Sequence, residues 1–260
     1  MLNKNAIFYF TGTGNSLKVS RYIAATIGNC DVVSIPAHRS NPYIFDRVYE
    51  RVGFVFPVYA EGLPNLVKRF IIDVELPFDQ SIYYFAVATH GGLAGNGISL
   101  LNKALKAKGI SLNAGFAVKM VANYICMYNI SKKAESISRA ANSFIEKIAE
   151  KVKHKEQNRI KKPNPLIFWS DLAAISYAKK DNGYNVSDAC SGCGICFRVC
   201  PAKNIEVTDK RPAFLHQCEQ CMACIHICPE KAINYLNKTQ KRRRYIHPDI
   251  TINDLCIRTL

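Results

Sequence analysis

The chain has 260 residues, of which 48% are hydrophobic, so it can bury the core of one large domain or of two small ones. It contains no apolar run long enough to cross a membrane and begins without a leader pattern, so we expect a cytoplasmic protein. The formal net charge of +15 favours acidic partners, and the 11 cysteines do not suit a disulfide-stapled secreted domain because nothing marks secretion.

The first predicted element is a buried strand followed by a glycine-containing loop. Residues 5–10 form an apolar run typical of a strand covered on both faces, and the sequence T-G-T-G-N-S then precedes a helix pattern at 17–27. This order predicts an anion site, because the loop amides and the helix N-terminus face the same point. The absence of a following lysine and the glycine spacing exclude a nucleotide-hydrolysing P-loop and a dinucleotide site. The alternative is an ordinary glycine-rich turn.

Four more strand patterns alternate with helix patterns along the N-terminal half. The strand patterns lie at 32–35, 51–56, 82–88 and 115–121, and the helix patterns between them lie at 64–72 and up to about 108. This alternation predicts an α/β fold with a parallel sheet. Ligands of such sheets bind beyond the carboxyl ends of the strands, where the first, third and fourth strands each end in a glycine-containing loop.

The T-G-T-G-N-S loop matches the T-x-T-G-x-[ST] phosphate loop of flavodoxins, and residues 1–153 resemble that family. The resemblance implies a flavodoxin-like, doubly wound, five-stranded parallel sheet that binds FMN. It implies phosphate contacts from the first loop: Thr11, Gly12, Thr13, Gly14, Asn15 and Ser16. It implies flavin-ring contacts from the two later loops: Pro57, Val58, Tyr59 and Ala60, then Thr89, His90, Gly91 and Gly92.

Tyr59 is the candidate to stack on the flavin, although a rim position packed on Pro57 would also suit it. Flavodoxins often carry a second aromatic residue in the later loop, where this chain offers only His90. One face of the flavin is therefore either open or covered by another segment. Residues 123–128, which are aromatic, polar and sulfur-bearing, either cap the flavin or pack in the core.

A long amphipathic helix pattern at 131–153 ends the first predicted domain. We predict that residues 154–184 form a linker and a docking helix. The linker, 154–165, is charged and contains prolines, and the docking segment, 166–178, is apolar and includes Trp169 and Tyr177. A mobile tether is the alternative.

Eight cysteines repeat one spacing in the last predicted domain, residues 185–260. The run C-x2-C-x2-C-x3-C-P occurs at Cys190, Cys193, Cys196 and Cys200, and again at Cys218, Cys221, Cys224 and Cys228. This run holds 4Fe-4S clusters in bacterial two-cluster ferredoxins, where the fourth cysteine ligates the other cluster because the chain has turned away.

We therefore predict two clusters with exchanged fourth ligands. One is assigned to Cys190, Cys193, Cys196 and Cys228, and the other to Cys218, Cys221, Cys224 and Cys200. Zinc is the alternative, but zinc sites usually take two C-x2-C pairs, and three cysteines in a row at this spacing overfill such a site. Of the remaining cysteines, Cys126 is the one expected nearest a cofactor.

The whole chain resembles flavodoxin–ferredoxin fusions of anaerobes, with the connector outside the resemblance. The resemblance implies an FMN-binding half, a small α+β two-cluster ferredoxin-like half, and electron transfer among one flavin and two 4Fe-4S clusters. The expected partners are acidic redox proteins, such as a ferredoxin or an oxidoreductase, and a homodimer stays open. No catalytic acid–base pair or nicotinamide site is visible, so whether the protein is an enzyme is undecided.

Two other functions stay open from the sequence. One is a flavin-dependent reductase of a small-molecule acceptor that is fed by the clusters. The other is a redox-sensing or nucleic-acid-binding protein, which the spread of positive charge along the chain does not favour. The densest basic run, residues 241–245, suits either a docking surface for an acidic partner or a solvated end that folds back on the first domain.

Overall fold

The computed structural model of the protein describes residues 4–38, 41–167 and 180–259. Its centre is a five-stranded parallel sheet in the order β2-β1-β3-β4-β5. The strands are β1 (Lys4–Tyr9), β2 (Cys30–Ser34), β3 (Tyr49–Pro57), β4 (Tyr83–His90) and β5 (Ala114–Lys119). This order is that of flavodoxin-like doubly wound sheets, whose ligand crevice lies between β1 and β3, and it confirms the predicted fold class.

Helices cover both faces of the sheet. They are α1 (Asn15–Ile27), the short α2 (Ile35–His38), α3 (Asn65–Asp73), α4 (Gly97–Lys106) and α5 (Ala134–Lys153). On one face, Phe8 and Phe54, which are neighbours in the β1–β3 register, pack with Phe70 of α3. On the other face, the alternate strand residue Ile7 packs with Ile145 of α5. Burial on both faces explains why the strands read as continuous apolar runs rather than as alternating ones.

The predicted elements agree with these bounds to within a few residues. One side chain of the α5 pattern differs: Phe144 follows the apolar spacing but is 60% exposed, because Ile145 takes the position against the sheet. A single aromatic residue beside an apolar stripe is an ordinary surface feature.

The linker runs along the outer edge of the sheet. Asn158 donates to the Gly115 carbonyl and accepts from the Gly115 amide, each at 3.0 Å, so its side chain pairs with the exposed edge of β5. Ile160 packs on the core from the same segment. The charged linker therefore protects an edge strand rather than simply meeting solvent. The predicted docking helix at 166–178 lies almost wholly outside the described residues.

The C-terminal region is small and mixed, as predicted. Two antiparallel pairs, β6 (Tyr184–Val186) with β9 (Ile233–Tyr235) and β7 (Ile205–Thr208) with β8 (Arg211–Phe214), flank two short helices. The helices, α6 (Ile195–Val199) and α7 (Ala223–Ile227), each carry the third cysteine of a run.

The end of the basic run and the residues after it fold back on the first domain. The Tyr245 hydroxyl donates to Asn15 Oδ1 at 2.7 Å, and the His247 amide donates to the Thr13 carbonyl at 2.9 Å. The last helix, α8 (Ile252–Leu255), begins with a capping box between Thr251 and Asp254. Of the helices in the described part of the chain, none combines the length and apolar character that a membrane crossing requires.

Candidate functional site

The loop between β1 and α1 is shaped by local glycine geometry. Gly14 has a φ of 97° and its amide donates to Thr11 Oγ1 at 3.0 Å, which closes the loop just before the helix begins. The first-turn amides of α1 have no intrahelical acceptor, as at any helix N-terminus, so they remain available to an anion. Asn123 donates to Thr13 Oγ1 at 2.7 Å and holds this loop against the segment after β5.

A cavity of about 400 Å³ lies at the carboxyl edge of the sheet, beside this loop. Every predicted flavin contact except Gly14 and Gly92 lines it, namely Thr11, Gly12, Thr13, Asn15, Ser16, Pro57, Val58, Tyr59, Ala60, Thr89, His90 and Gly91. Ser16 and Thr89 connect two of the three loops through a hydroxyl–hydroxyl hydrogen bond of 2.9 Å. The three loops therefore converge on one space, as the flavodoxin resemblance implies.

The segment after β5 also lines the cavity. Asn123, Tyr124, Met127 and Tyr128 all contribute, which favours the capping role over simple packing. Cys126 does not line it. Its thiol is buried 3.3 Å from the Met222 sulfur, on the side of the C-terminal cysteines.

Tyr59 lies between the cavity and the C-terminal cysteines. Its ring meets Phe10 edge-on, with ring centroids 5.8 Å apart, and its hydroxyl is buried with no hydrogen-bond partner among the described residues. Burial raises the pKa of this hydroxyl well above its usual range, and the neighbouring Cys221 and Glu219 raise it further. The Tyr59 hydroxyl is thus neutral, and its hydrogen is donated to no acceptor among the described residues.

His90 has one fixed tautomer. Its Nδ1 lies 2.8 Å from the Gly92 carbonyl, which can only accept, so Nδ1 carries the proton and Nε2 is an acceptor. Burial lowers the pKa of His90, and Lys119 lowers it further, so the ring is neutral. His90 is therefore a neutral hydrogen-bonding residue of this loop.

The eight C-terminal cysteines line two separate small cavities. Cys190, Cys193, Cys196 and Cys228, the outer cysteine group, line one of them. Cys200, Cys218, Cys221 and Cys224, the inner cysteine group, line the other, together with Tyr184 and Phe214. This is the grouping that exchanged fourth ligands require. Among the residues that the structure describes, no three His, Cys, Asp or Glu side chains form a single-ion site.

The surroundings of the cysteine thiols suit a bound cation, and they include backbone amides that donate to sulfur. Burial raises the pKa of Cys218 to about 12 and that of Cys196 to about 11, so these thiols ionise readily only when positive charge is bound. The Asn204 backbone amide donates to Cys200 Sγ at 3.2 Å, and the Gln220 backbone amide donates to Cys218 Sγ at 3.3 Å. Such hydrogen bonds to sulfur tune iron-sulfur potentials.

The inner cysteine group touches the glycine loop directly. A Cβ placed on Gly12 would lie 2.3 Å from the Cys221 carbonyl oxygen, so only glycine allows the two backbones to approach this closely. His226 Nε2 donates to the Asn123 carbonyl at 2.7 Å, and Arg69 pairs with the buried Glu219 at 2.8 Å. The two halves are therefore joined by backbone contact, hydrogen bonds and an ion pair around the cavity.

Glu219 and Gln220, which were not predicted from the sequence, lie between two cysteines of the inner group and line the cavity. Gln220 is 4% exposed; its Oε1 accepts from the Tyr124 hydroxyl at 3.0 Å, and its Nε2 has no partner among the described residues. The amide nitrogen is thus a buried, oriented donor. The available signal was the pair Glu-Gln, where the outer run has Ser-Gly.

Comparisons with known proteins divide the chain in the same way. Residues 183–229 match the family described as the 4Fe-4S dicluster domain. No curated protein matches the chain in sequence.

Several solved structures resemble the remainder. An azoreductase from Bacillus anthracis is 14% identical, with a TM-score of 0.41, over 58% of this chain and 100% of that one. A flavodoxin from Streptococcus pneumonia TIGR4 is 15% identical, with a TM-score of 0.35, over 58% of this chain and 99% of that one. A rubredoxin:oxygen oxidoreductase from Desulfovibrio gigas is 19% identical, with a TM-score of 0.38, over 59% and 37% respectively.

These likenesses are weak, and the fold assignment depends on the strand order instead. The flavodoxin-like sheet and the 4Fe-4S domain together fit a flavodoxin–ferredoxin fusion and support a redox electron-transfer role.

Proposed function

We propose that the protein transfers electrons between two 4Fe-4S clusters and a bound FMN within one chain, and exchanges them with acidic redox partners such as ferredoxins. One observation carries this proposal: Cys218 and Cys221 of the inner cysteine group enclose Glu219 and Gln220, and these two residues line the cavity. Cofactors held on the two sides of one short loop are close enough to exchange electrons without diffusion.

The cavity fits FMN by the kinds of groups that it offers. The T-G-T-G-N-S loop at the β1–β3 crevice supplies amides and hydroxyls for a phosphate. Gln220 Nε2 and the Tyr59 hydroxyl are buried donors without acceptors among the described residues. Because unpaired buried donors are costly, a ligand with acceptor atoms, such as the carbonyl oxygens of an isoalloxazine, would satisfy them.

The two cysteine cavities fit four-iron clusters by ligand number and type. Each is lined by four thiols, and in the inner group backbone amides already donate to Cys200 and Cys218. When bound, each cluster would carry one electron at a time and FMN one or two. The chain itself orients the sites, excludes water between them and keeps Cys193 of the outer group exposed for an external partner.

Cofactor analysis of protein purified without oxygen tests the proposal. We expect about eight iron ions, a similar amount of acid-labile sulfide and one FMN per chain, as two four-iron clusters and one flavin require. Partial reduction through the flavin should then produce the EPR signal of a reduced cluster in the same sample. Zinc in place of iron, or a flavin that never equilibrates with the iron, would contradict the proposal.

One observation favours the reductase of a small-molecule acceptor as a second candidate. Met127 lines the cavity and is 72% exposed, so the cavity opens to solvent at an apolar edge. A panel of quinones, nitroaromatics and azo dyes, offered to the reduced protein under anaerobic conditions, separates the two functions. Turnover of one class far faster than that of a ferredoxin would favour the reductase.

A further inference from the structure

The basic run at residues 241–245 does not behave as one surface. Lys241 and Arg243 are exposed, as a docking patch requires. Arg244 turns inward instead: its Nη2 donates to the Ile233 carbonyl at 3.2 Å and to Asn234 Oδ1 at 2.8 Å. These bonds fix the guanidinium on strand β9, beneath the cysteine runs.

Two further nitrogens of Arg244 are buried and unsatisfied. Nε and Nη1 have no hydrogen-bond partner among the described residues, and no ion pair of Arg244 with a carboxylate is found there. Burying a guanidinium with unpaired donors and no counter-charge is strongly unfavourable. A stable protein therefore needs an anion or strong acceptor at these two nitrogens.

The groups around Arg244 identify that acceptor. Ile233, whose carbonyl accepts from Arg244, itself lines the cavity of the outer cysteine group together with Cys228. Burial lowers the pKa of Arg244, while the nearby sulfurs of Cys228, Cys224 and Cys126 raise it. Cys228 belongs to the outer cysteine group and Cys224 to the inner one. The Ile233 contact therefore places Arg244 at the wall of the outer cysteine cavity.

We propose that Arg244 is a built-in counter-charge for the outer iron-sulfur site, whose bound cluster would give Nε and Nη1 the acceptor that they lack, and that it sets the reduction potential of that site. This inference rests on the proposed function. Adding one electron takes a cluster with its four thiolates from a charge of about −2 to about −3. A guanidinium stays protonated, so it stabilises the more negative form without taking up a proton. Arg244 acts through the cluster ligands and is a positioning residue, not a catalytic one.

The test compares Arg244→Gln with Arg243→Gln in the full, iron-loaded chain. Arg243 is the matched control, because it is the adjacent arginine but has a side chain 54% exposed. EPR-monitored redox titration under anaerobic conditions gives the midpoint potential of each cluster. We expect Arg244→Gln to lower the equilibrium constant for reduction of the outer cluster about tenfold, which is about 59 mV for one electron, and Arg243→Gln to leave it unchanged.

Arg244→Lys covers the case in which the glutamine variant fails to fold. Lysine keeps the charge but loses the fixed fork of donors, so we expect a smaller fall in potential with full iron content. Unshifted potentials in both Arg244 variants, or an equal shift in Arg243→Gln, would overturn the inference. Wild-type protein that binds no iron would overturn the proposed function instead, so the two failures are distinguishable.

Discussion

The two cysteine loops have the same ligand spacing but differ in the residues at their left-handed backbone positions. The outer loop reads C-S-G-C-G-I-C and the inner loop C-E-Q-C-M-A-C. At the two left-handed positions the outer loop has Gly192 (φ 72°) and Gly194 (φ 69°), whereas the inner loop has Gln220 (φ 54°) and Met222 (φ 63°). Glycine adopts this conformation freely, but a residue with a side chain is strained there by roughly 1–2 kcal/mol.

The strain in the inner loop coincides with contacts that glycine could not make. Gln220 lines the cavity at the carboxyl edge of the sheet, and the Met222 sulfur accepts from the Cys126 thiol at 3.3 Å. Cys221 is 9% exposed and abuts the glycine loop, whereas Cys193 of the outer loop is exposed. The spacing of the cysteines thus indicates what is bound, and the residues between them determine whether the group lies against the cavity or near the surface.

Removing one cysteine from each group in turn should give the largest difference in effect between the two loops. Cys221→Ser should abolish the inner cluster and weaken FMN binding, because its loop lines the cavity. Cys193→Ser should abolish only the outer cluster. Iron content, EPR and bound flavin measure both outcomes. Cys200→Ser should resemble Cys221→Ser in its iron signals; loss of the outer cluster in that variant would refute the exchanged fourth ligands.

Gly12→Ala should break the contact between the glycine loop and the inner group. The added methyl would lie 2.3 Å from the Cys221 carbonyl oxygen, so the two backbones must separate. We expect FMN affinity to fall by at least about a hundredfold, or roughly 3 kcal/mol, with the outer cluster intact. Gly92→Ala is the control, because nothing lies within 4 Å of its added methyl. Equal flavin content in both variants would show that the loops do not depend on each other.

Acid should destabilise the folded protein through His247, whose backbone amide donates to the glycine loop at Thr13. Burial lowers the pKa of His247 to about 4, against about 6.5 in an unfolded chain, so the folded protein binds fewer protons between these values. The stabilisation is complete above pH 6.5 and is lost as the pH falls toward 4, by roughly 1–3 kcal/mol. Urea unfolding at pH 7.5 and 5 should show a smaller pH dependence in His247→Gln. His154→Gln, an exposed histidine, should keep the wild-type dependence.

Gln220→Gly carries the smallest and most specific effect. Glycine should relieve the left-handed strain but lose the hydrogen bond from Tyr124, so the free energy of unfolding should change by less than about 1 kcal/mol. It should also remove the Nε2 donor from the cavity and raise the Kd for FMN about tenfold, or about 1.4 kcal/mol. Thermal unfolding and flavin titration measure the two effects. Gln217→Gly, at an exposed position of the same segment, should not weaken FMN binding.

Local patterns predicted the sheet, because its doubly covered strands read as apolar runs and its loops carry glycines. The cysteine spacing likewise predicted the members of both groups. The contribution of Gln220 to the cavity was not predictable, since it depends on how two sequence-distant halves dock. The role of Arg244 was hidden by its basic neighbours, because a run of like charges carries no signal that one member faces inward.

The close approach of Gly12 to Cys221 means that the two halves are not interchangeable modules. An N-terminal fragment that ends near residue 183 would keep every strand of the five-stranded sheet and still lack one wall of the cavity. Grafting an unrelated ferredoxin onto such a fragment would restore the iron but not the missing side. In proteins that share this contact, a substitution at the glycine loop therefore requires a matching substitution in the inner cysteine loop.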